Sequence, residues 1–74
     1  SETSARGPEA VRSALIEAAK SFLPARAPST VSGRELAERA GVNYGLVYHY
    51  FGGKDAVFRE AMLSLRDDFL QDMG

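Results

Sequence analysis

The fold is decided by residues 32–54, which read SGRELAERAGVNYGLVYHYFGGK. Ser32 and Glu35 are spaced as a capping box, in which two side chains satisfy free backbone N–H groups at the start of a helix. Gly41 suits the end of that helix, because glycine readily adopts the left-handed conformation that turns the chain. These signals predict one short helix that ends at Gly41 and, after the turn, another short helix over residues 44–50.

Small and apolar residues occupy the positions at which two steeply crossing helices would touch. Ala37 is small where the second of these helices passes over it, and Val42 and Val47 fill the corner between them. Asn43 can cap the helix that follows the turn. Two short helices joined by a three-residue turn with a glycine are typical of a helix-turn-helix. An ordinary αα-hairpin is the alternative on this pattern alone.

A longer helix precedes this motif. Pro8 suits the first position of a helix, because its missing N–H would have no partner there. The apolar residues that follow recur at intervals of three and four, namely Val11, Leu15, Ala18 and Phe22. The helix must stop near Leu23, since Pro24 disfavours helix in the residue before it, and we predict a connection over residues 24–31.

A fourth helix follows the motif and begins at Lys54. Its apolar residues repeat with the same spacing, at Phe58, Met62, Leu65 and Phe69. No alternating strand pattern is visible, so we predict an all-α fold, a three-helix helix-turn-helix head followed by a longer fourth helix. The predicted organisation is a disordered tail over residues 1–7, a DNA-binding domain over residues 8–53, and a linking helix over residues 54–74.

Composition limits the chemistry that the chain can perform. It has 74 residues, no cysteine, one histidine and a formal net charge of -1. A chain of this length forms one small domain, without a thiolate nucleophile or a thiolate metal site. One histidine cannot supply a multi-histidine metal centre. We therefore predict no catalytic residue, no metal and no cofactor, and a function in recognition rather than as an enzyme.

The charge is distributed unevenly along the chain. Residues 55–74 have two basic and five acidic side chains, whereas residues 42–53 have none of either sign. The uncharged stretch instead contains Tyr44, Tyr48, His49 and Tyr50, whose flat rings and polar atoms suit contact with a partner. No apolar stretch approaches the roughly 18 residues that a membrane span needs, so we expect no membrane partner and a cytoplasmic location.

The sequence also resembles a known family. Residues 41–58, GVNYGLVYHYFGGKDAVF, are similar to the DNA-binding signature of TetR-type transcriptional repressors. In that signature a Gly-Val-(Ser/Asn) turn leads to a recognition helix ending in Tyr-x-(Tyr/His)-Phe, and (Ser/Gly)-Lys-(Glu/Asp) starts the next helix. The run RSALIEAA at residues 12–19 matches the family's first helix, and the resemblance covers about residues 8–65.

Two positions depart from the family pattern. A segment from Pro24 to Pro28 replaces the usual glycine after the first helix, which we expect to reshape a loop. Gly33 stands where many members have Thr or Ser, which we expect to remove a side-chain contact to phosphate.

The resemblance implies sequence-specific binding to a palindromic operator in double-stranded DNA. It implies a cytoplasmic, nucleoid-associated regulator, of the repressor type, that is a homodimer when full-length. It also implies a C-terminal domain, absent from this chain, that binds a small-molecule effector. A helical protein-interaction module without nucleic-acid binding is the alternative function.

The first turn of a recognition helix is the part that reaches base edges in the major groove. We therefore assign base reading to Tyr44, Gly45 and Leu46. Leu46 offers an apolar contact that suits a thymine methyl, and Gly45 permits close approach of the backbone. For Leu46 an ordinary surface or core position is an equal alternative.

The remaining candidates are predicted to contact phosphates, which position a protein on DNA without reading its sequence. The resemblance implies this role for Tyr48 and His49. Tyr50 can pack its ring and still bind phosphate through its hydroxyl. Lys54, at a helix start, and Arg34 complete the predicted set, and Arg12 is a weaker candidate.

Overall fold

A computed structural model describes the backbone of residues 7–73 and the side chains of these residues except 69, 72 and 73. These residues form four α-helices and no strand: α1 (Pro8–Phe22), α2 (Gly33–Ala40), α3 (Gly45–Phe51) and α4 (Lys54–Met73). The predicted all-α class is therefore confirmed. The predicted tail over residues 1–7 lies outside the described part of the chain, apart from Gly7. Within residues 7–73 no helix is long and apolar enough to cross a membrane.

One continuous core joins the helices. α1 lies at its centre and packs against both α2 and α4. The buried side chains are all apolar: Val11, Leu15, Ala18, Ala19, Phe22, Val31, Leu36, Ala37, Val47, Val57, Phe58 and Ala61. The predicted apolar stripe of α1 and the predicted contact positions Ala37 and Val47 belong to this core, while Val42 is half-buried against it.

The ends of α2 follow the predicted capping chemistry. The Ser32 Oγ accepts a hydrogen bond from the Glu35 N–H at 3.0 Å, and a Glu35 carboxylate oxygen accepts one from the Ser32 N–H at 3.0 Å. Gly41 then adopts φ 74°, in the left-handed region that glycine enters without steric cost. α2 and α3 thus form the helix-turn-helix at the predicted place.

The connection between α1 and α2 is more ordered than predicted. Its residues Pro28–Thr30 form a 3₁₀ turn, and the Thr30 hydroxyl donates to the Ala27 carbonyl at 2.7 Å. Arg26 bonds the Glu35 carboxylate at 3.0 Å and also the Thr30 carbonyl. The proline-rich segment is therefore fixed to the start of α2.

Two residues of the apolar repeat of α4 are exposed. Met62 is 47% exposed and Leu65 is 39% exposed. The face of α4 that meets α1 lies one position earlier, at Val57, Ala61, Ser64 and Asp68, where the last two bond Lys20 at 3.2 and 3.1 Å. A polar contact therefore replaces apolar packing in the second half of this face.

The second half of α4 presents apolar side chains to solvent. Leu63 is 49% exposed and Leu70 is 53% exposed. The side chain of Phe69, the last residue of the predicted apolar repeat, is not among those that the structure describes.

Candidate nucleic-acid interface

α3 is held on the core by one side and presents the other to solvent. Val47 is fully buried and anchors the helix, and Leu46 is half-buried against the same core. The exposed side displays four of the predicted contact residues: Tyr44, Gly45, Tyr48 and His49. The helix begins at Gly45, one residue later than predicted, and the Gly45 N–H donates to the Asn43 Oδ1 at 2.9 Å. Asn43 therefore satisfies the first helical donor, as predicted.

Tyr44 and Tyr48 form a pair on the exposed side. Their ring centroids are 5.4 Å apart with the planes at 84°, an edge-to-face arrangement that aromatic pairs favour. Their hydroxyl oxygens are 3.0 Å apart and hydrogen-bonded. This bond raises the pKa of the Tyr48 hydroxyl above its ordinary value. Four residues separate the two tyrosines, which is the spacing that places side chains together on one helix face.

Arg34 joins the tyrosine pair from α2. Its guanidinium carbon lies 5.5 Å from the centroid of the Tyr44 ring, within the range of a cation–π contact. Arg34 is exposed, so its N–H groups face solvent beside the ring. The structure therefore brings Arg34, Tyr44 and Tyr48 into one cluster.

His49 and Tyr50 lie at the side of this cluster. The two rings are 4.7 Å apart at 77°. His49 is exposed, while Tyr50 is half-buried and packs against the core. Tyr50 thus has the partly packed position that its predicted double role requires.

Gly45 has open space on its outer side. A Cβ placed there would meet only the Asn43 Oδ1, at 3.4 Å. The packing of the protein therefore does not require glycine at this position. An absent side chain on an exposed helix face leaves room for close approach by a partner.

Lys54 is placed differently from the other candidates. Its ammonium donates to the Pro28 carbonyl at 2.9 Å and the side chain is half-buried. Since an ammonium has three N–H donors, two remain for another acceptor. A contact from Lys54 to phosphate would therefore use the same ammonium that bonds the α1–α2 connection.

A concavity of about 450 Å³ lies between Tyr48 and the start of α4. It is lined by Tyr48, Phe51, Gly52, Gly53, Lys54, Asp55, Ala56 and Arg59. Sequence reasoning did not select Arg59, although it follows Asp55 by four residues and so shares a face of α4 with it. The Asp55 carboxylate offsets part of the positive charge that Lys54 and Arg59 bring to this concavity.

Arg12 has a structural partner that the sequence did not indicate. Its Nη1 donates to the Tyr50 carbonyl at 3.1 Å, and its guanidinium carbon lies 4.6 Å from the centroid of the Phe51 ring. A cation suits the C-terminal end of a helix, where carbonyl groups lack helical partners. Arg12 therefore ties the last turn of α3 to α1.

Comparison with known proteins agrees with this architecture. The family model described as bacterial regulatory proteins, tetR family, matches residues 15–61, and the chain belongs to this family. The family assignment supports a role in DNA-binding transcriptional regulation. No solved structure gave a significant match.

Curated relatives carry matching descriptions. The chain is 43% identical over 49 residues to the HTH-type transcriptional repressor Rv3405c of Mycobacterium tuberculosis, which covers 66% of this chain and 26% of that protein. It is 37% identical over 63 residues to the HTH-type transcriptional regulator BetI of Brucella anthropi, covering 85% of this chain and 32% of that protein. The BetI of Rhizobium meliloti is 38% identical over 66 residues, covering 84% and 32%. The chain thus spans about a quarter to a third of these relatives.

Proposed function

We propose that this chain is the operator-reading part of a ligand-responsive transcriptional repressor. The observation that supports this most directly is the exposed side of α3, where Tyr44, Gly45, Tyr48 and His49 lie together on a helix anchored by the buried Val47. A rigid helix with an uncharged polar surface fits into the major groove of double-stranded DNA.

The two kinds of contact divide along this surface. Tyr44, Gly45 and Leu46 lie at the start of α3, and we assign base reading to them, with Leu46 limited by its half-buried position. Contacts to phosphate are assigned to the groups around them: Arg34, Tyr48, His49, Tyr50 and Lys54. Lys54 and Tyr48 line the same concavity, which supports their action on neighbouring phosphates.

The larger protein is proposed to be a homodimer that binds a palindromic operator. α4 belongs to the proposed linking segment over residues 54–74, and its exposed Leu63 and Leu70 would pack against further chain. The longer curated relatives support additional sequence beyond this head, and one of them is named a repressor. A small-molecule effector would bind there, in a cytoplasmic, nucleoid-associated regulator.

Fluorescence anisotropy with labelled DNA duplexes tests this function. We expect weak binding by the isolated chain, because a single DNA-binding head engages only one half-site of a palindromic operator. Affinity should fall by about tenfold or more between roughly 50 and 200 mM salt, since binding to phosphates releases counterions. On a duplex selected from a random pool, Tyr44→Ala should cost about 1–3 kcal/mol and relax the sequence preference.

The same measurement distinguishes DNA recognition from the alternative function. A helical protein-interaction module would bind no duplex at low salt, and its exposed leucines on α4 would mediate association with a protein partner. Equal loss from Tyr44→Ala on selected and random duplexes would contradict the assignment of Tyr44 to base reading.

A further inference from the structure

Gly33, at the start of α2, lies against the edge of the Tyr44 ring. A Cβ placed on Gly33 would be 2.9 Å from the Tyr44 Cε1, closer than such atoms approach in proteins. It would also lie 3.7 Å from the Tyr44 hydroxyl oxygen and 3.8 Å from Cδ1. The observed position of the ring is therefore compatible only with a glycine beside this edge.

The backbone does not explain this glycine. Positive φ angles occur at Gly41, Gly52 and Gly53, and Gly33 is not among them. In an ordinary helical conformation any residue with a side chain would be accepted, and glycine is an unfavourable choice for a helix. The feature that a side chain at this position would disturb is the Tyr44 ring in its observed position.

The ring is fixed from two further directions. Tyr48 contacts it edge-to-face and bonds its hydroxyl, and the Arg34 guanidinium lies 5.5 Å from its centroid. Gly33 and Arg34 are neighbours, so the first turn of α2 supplies both the space for the ring and a cation beside it. The orientation of Tyr44 depends on residues of both helices of the motif.

We propose that Gly33 is a positioning residue that sets the orientation of Tyr44 and thereby the base preference of the protein. This inference rests on the proposed function, in which Tyr44 reads bases. A side chain on Gly33 would displace the ring and break its bond to Tyr48. From the sequence, Gly33 was expected only to remove a side-chain contact to phosphate, whereas in the structure its missing side chain leaves room for the Tyr44 ring.

Gly33→Ala, in wild-type and Tyr44→Ala backgrounds, tests the proposal, with Gly45→Ala as the matched control. We expect Gly33→Ala to melt at or above the wild-type temperature, because the half-exposed ring can move and alanine favours helix. Affinity for a duplex selected by the wild type should fall by roughly tenfold. Selection from random duplexes should yield a different preferred base at the position that Tyr44 contacts.

The double variants decide how Gly33 acts. In the Tyr44→Ala background, the further change Gly33→Ala should alter affinity by less than about twofold, because the ring that it displaces is gone. Gly45→Ala should weaken binding equally in both backgrounds, since its side chain would obstruct the DNA itself. A loss from Gly33→Ala that persists without the Tyr44 ring would overturn the proposal.

A readout without DNA separates this inference from the proposed function. In protein with carbon-13-labelled tyrosine, the pH titration of Tyr48 should move back towards the ordinary tyrosine value in Gly33→Ala, as its bond to Tyr44 is lost. An unchanged Tyr48 titration in Gly33→Ala would contradict the claim that Gly33 sets the orientation of the Tyr44 ring. The Tyr48 titration could shift in Gly33→Ala as expected while the wild type binds no duplex. That result would overturn the proposed function, and with it the effect on base preference, but not the contact between Gly33 and the Tyr44 ring.

Discussion

The Arg12 guanidinium donates to the Tyr50 carbonyl at 3.1 Å and lies over the Phe51 ring, so that α1 holds the last turn of α3. Arg12→Met should therefore destabilise the fold by about 1 kcal/mol and weaken DNA binding with it. Thermal unfolding and anisotropy on the same samples would measure both effects. Arg66→Met, which removes an equal charge from the second half of α4, is the control. Loss of affinity with unchanged melting would show that Arg12 acts on DNA directly.

Lys54 combines a structural bond with a proposed contact to phosphate. Lys54→Met keeps much of the side chain but removes the ammonium that bonds the Pro28 carbonyl. We expect a loss of about 1 kcal/mol in stability and weaker binding to all duplexes, with the salt slope reduced by about one. Binding titrations at several salt concentrations measure that slope. An unchanged slope would assign Lys54 to the fold alone.

Gly41 allows the turn between α2 and α3 because its φ is 74°. A β-branched residue is strained in this conformation, at a cost of about 1–3 kcal/mol. Gly41→Val should lower the melting temperature and abolish DNA binding together. Tyr48→Phe is the contrasting variant, since it removes an exposed hydroxyl that bonds only the Tyr44 hydroxyl among the described residues, and it should keep the fold while losing affinity. Wild-type melting of Gly41→Val would contradict the account of this turn.

Glu35 makes stability depend on pH in the acid range. Its hydrogen bond from Arg26 and the one from the Ser32 backbone lower the pKa of this carboxyl below its ordinary 4.5. Since the pKa is lower in the folded state, the carboxylate stabilises the fold above the ordinary value, and this contribution is lost as the pH falls through the folded-state pKa.

Thermal unfolding from neutral to acid pH measures this contribution. The advantage of the wild type over Glu35→Gln, which retains the capping geometry, should be full at neutral pH and shrink below about 4.5. A constant difference across this range would contradict the role of the Arg26 ion pair.

Local signals predicted the helix-turn-helix correctly. The capping box of Ser32 and Glu35 and the left-handed Gly41 depend on chemistry within a few residues, so the sequence states them directly. In α4 the apolar spacing does not reveal that the face towards α1 becomes polar at Ser64 and Asp68. Contacts between distant residues, such as Lys54 with Pro28 and Arg12 with Tyr50, have no local signature either.

Part of the candidate site could likewise be predicted from the sequence, and part could not. The composition of residues 42–53 indicated a contact surface, because this uncharged stretch contains Tyr44, Tyr48, His49 and Tyr50. The exposed pair of Tyr44 and Tyr48 follows from helical spacing, but the space that Gly33 leaves for the Tyr44 ring comes from the crossing of two helices. No pattern within one element encodes that fit.

The most direct test of DNA recognition by α3 is amide chemical-shift mapping of the chain during titration with a DNA duplex at low salt. We predict the largest shifts at Tyr44, Gly45, Tyr48 and Gly53, around the exposed side of α3 and its neighbouring concavity. The amides of Leu63 and Leu70 should change little. Shifts concentrated on the second half of α4, or no saturable shift at all, would contradict the account.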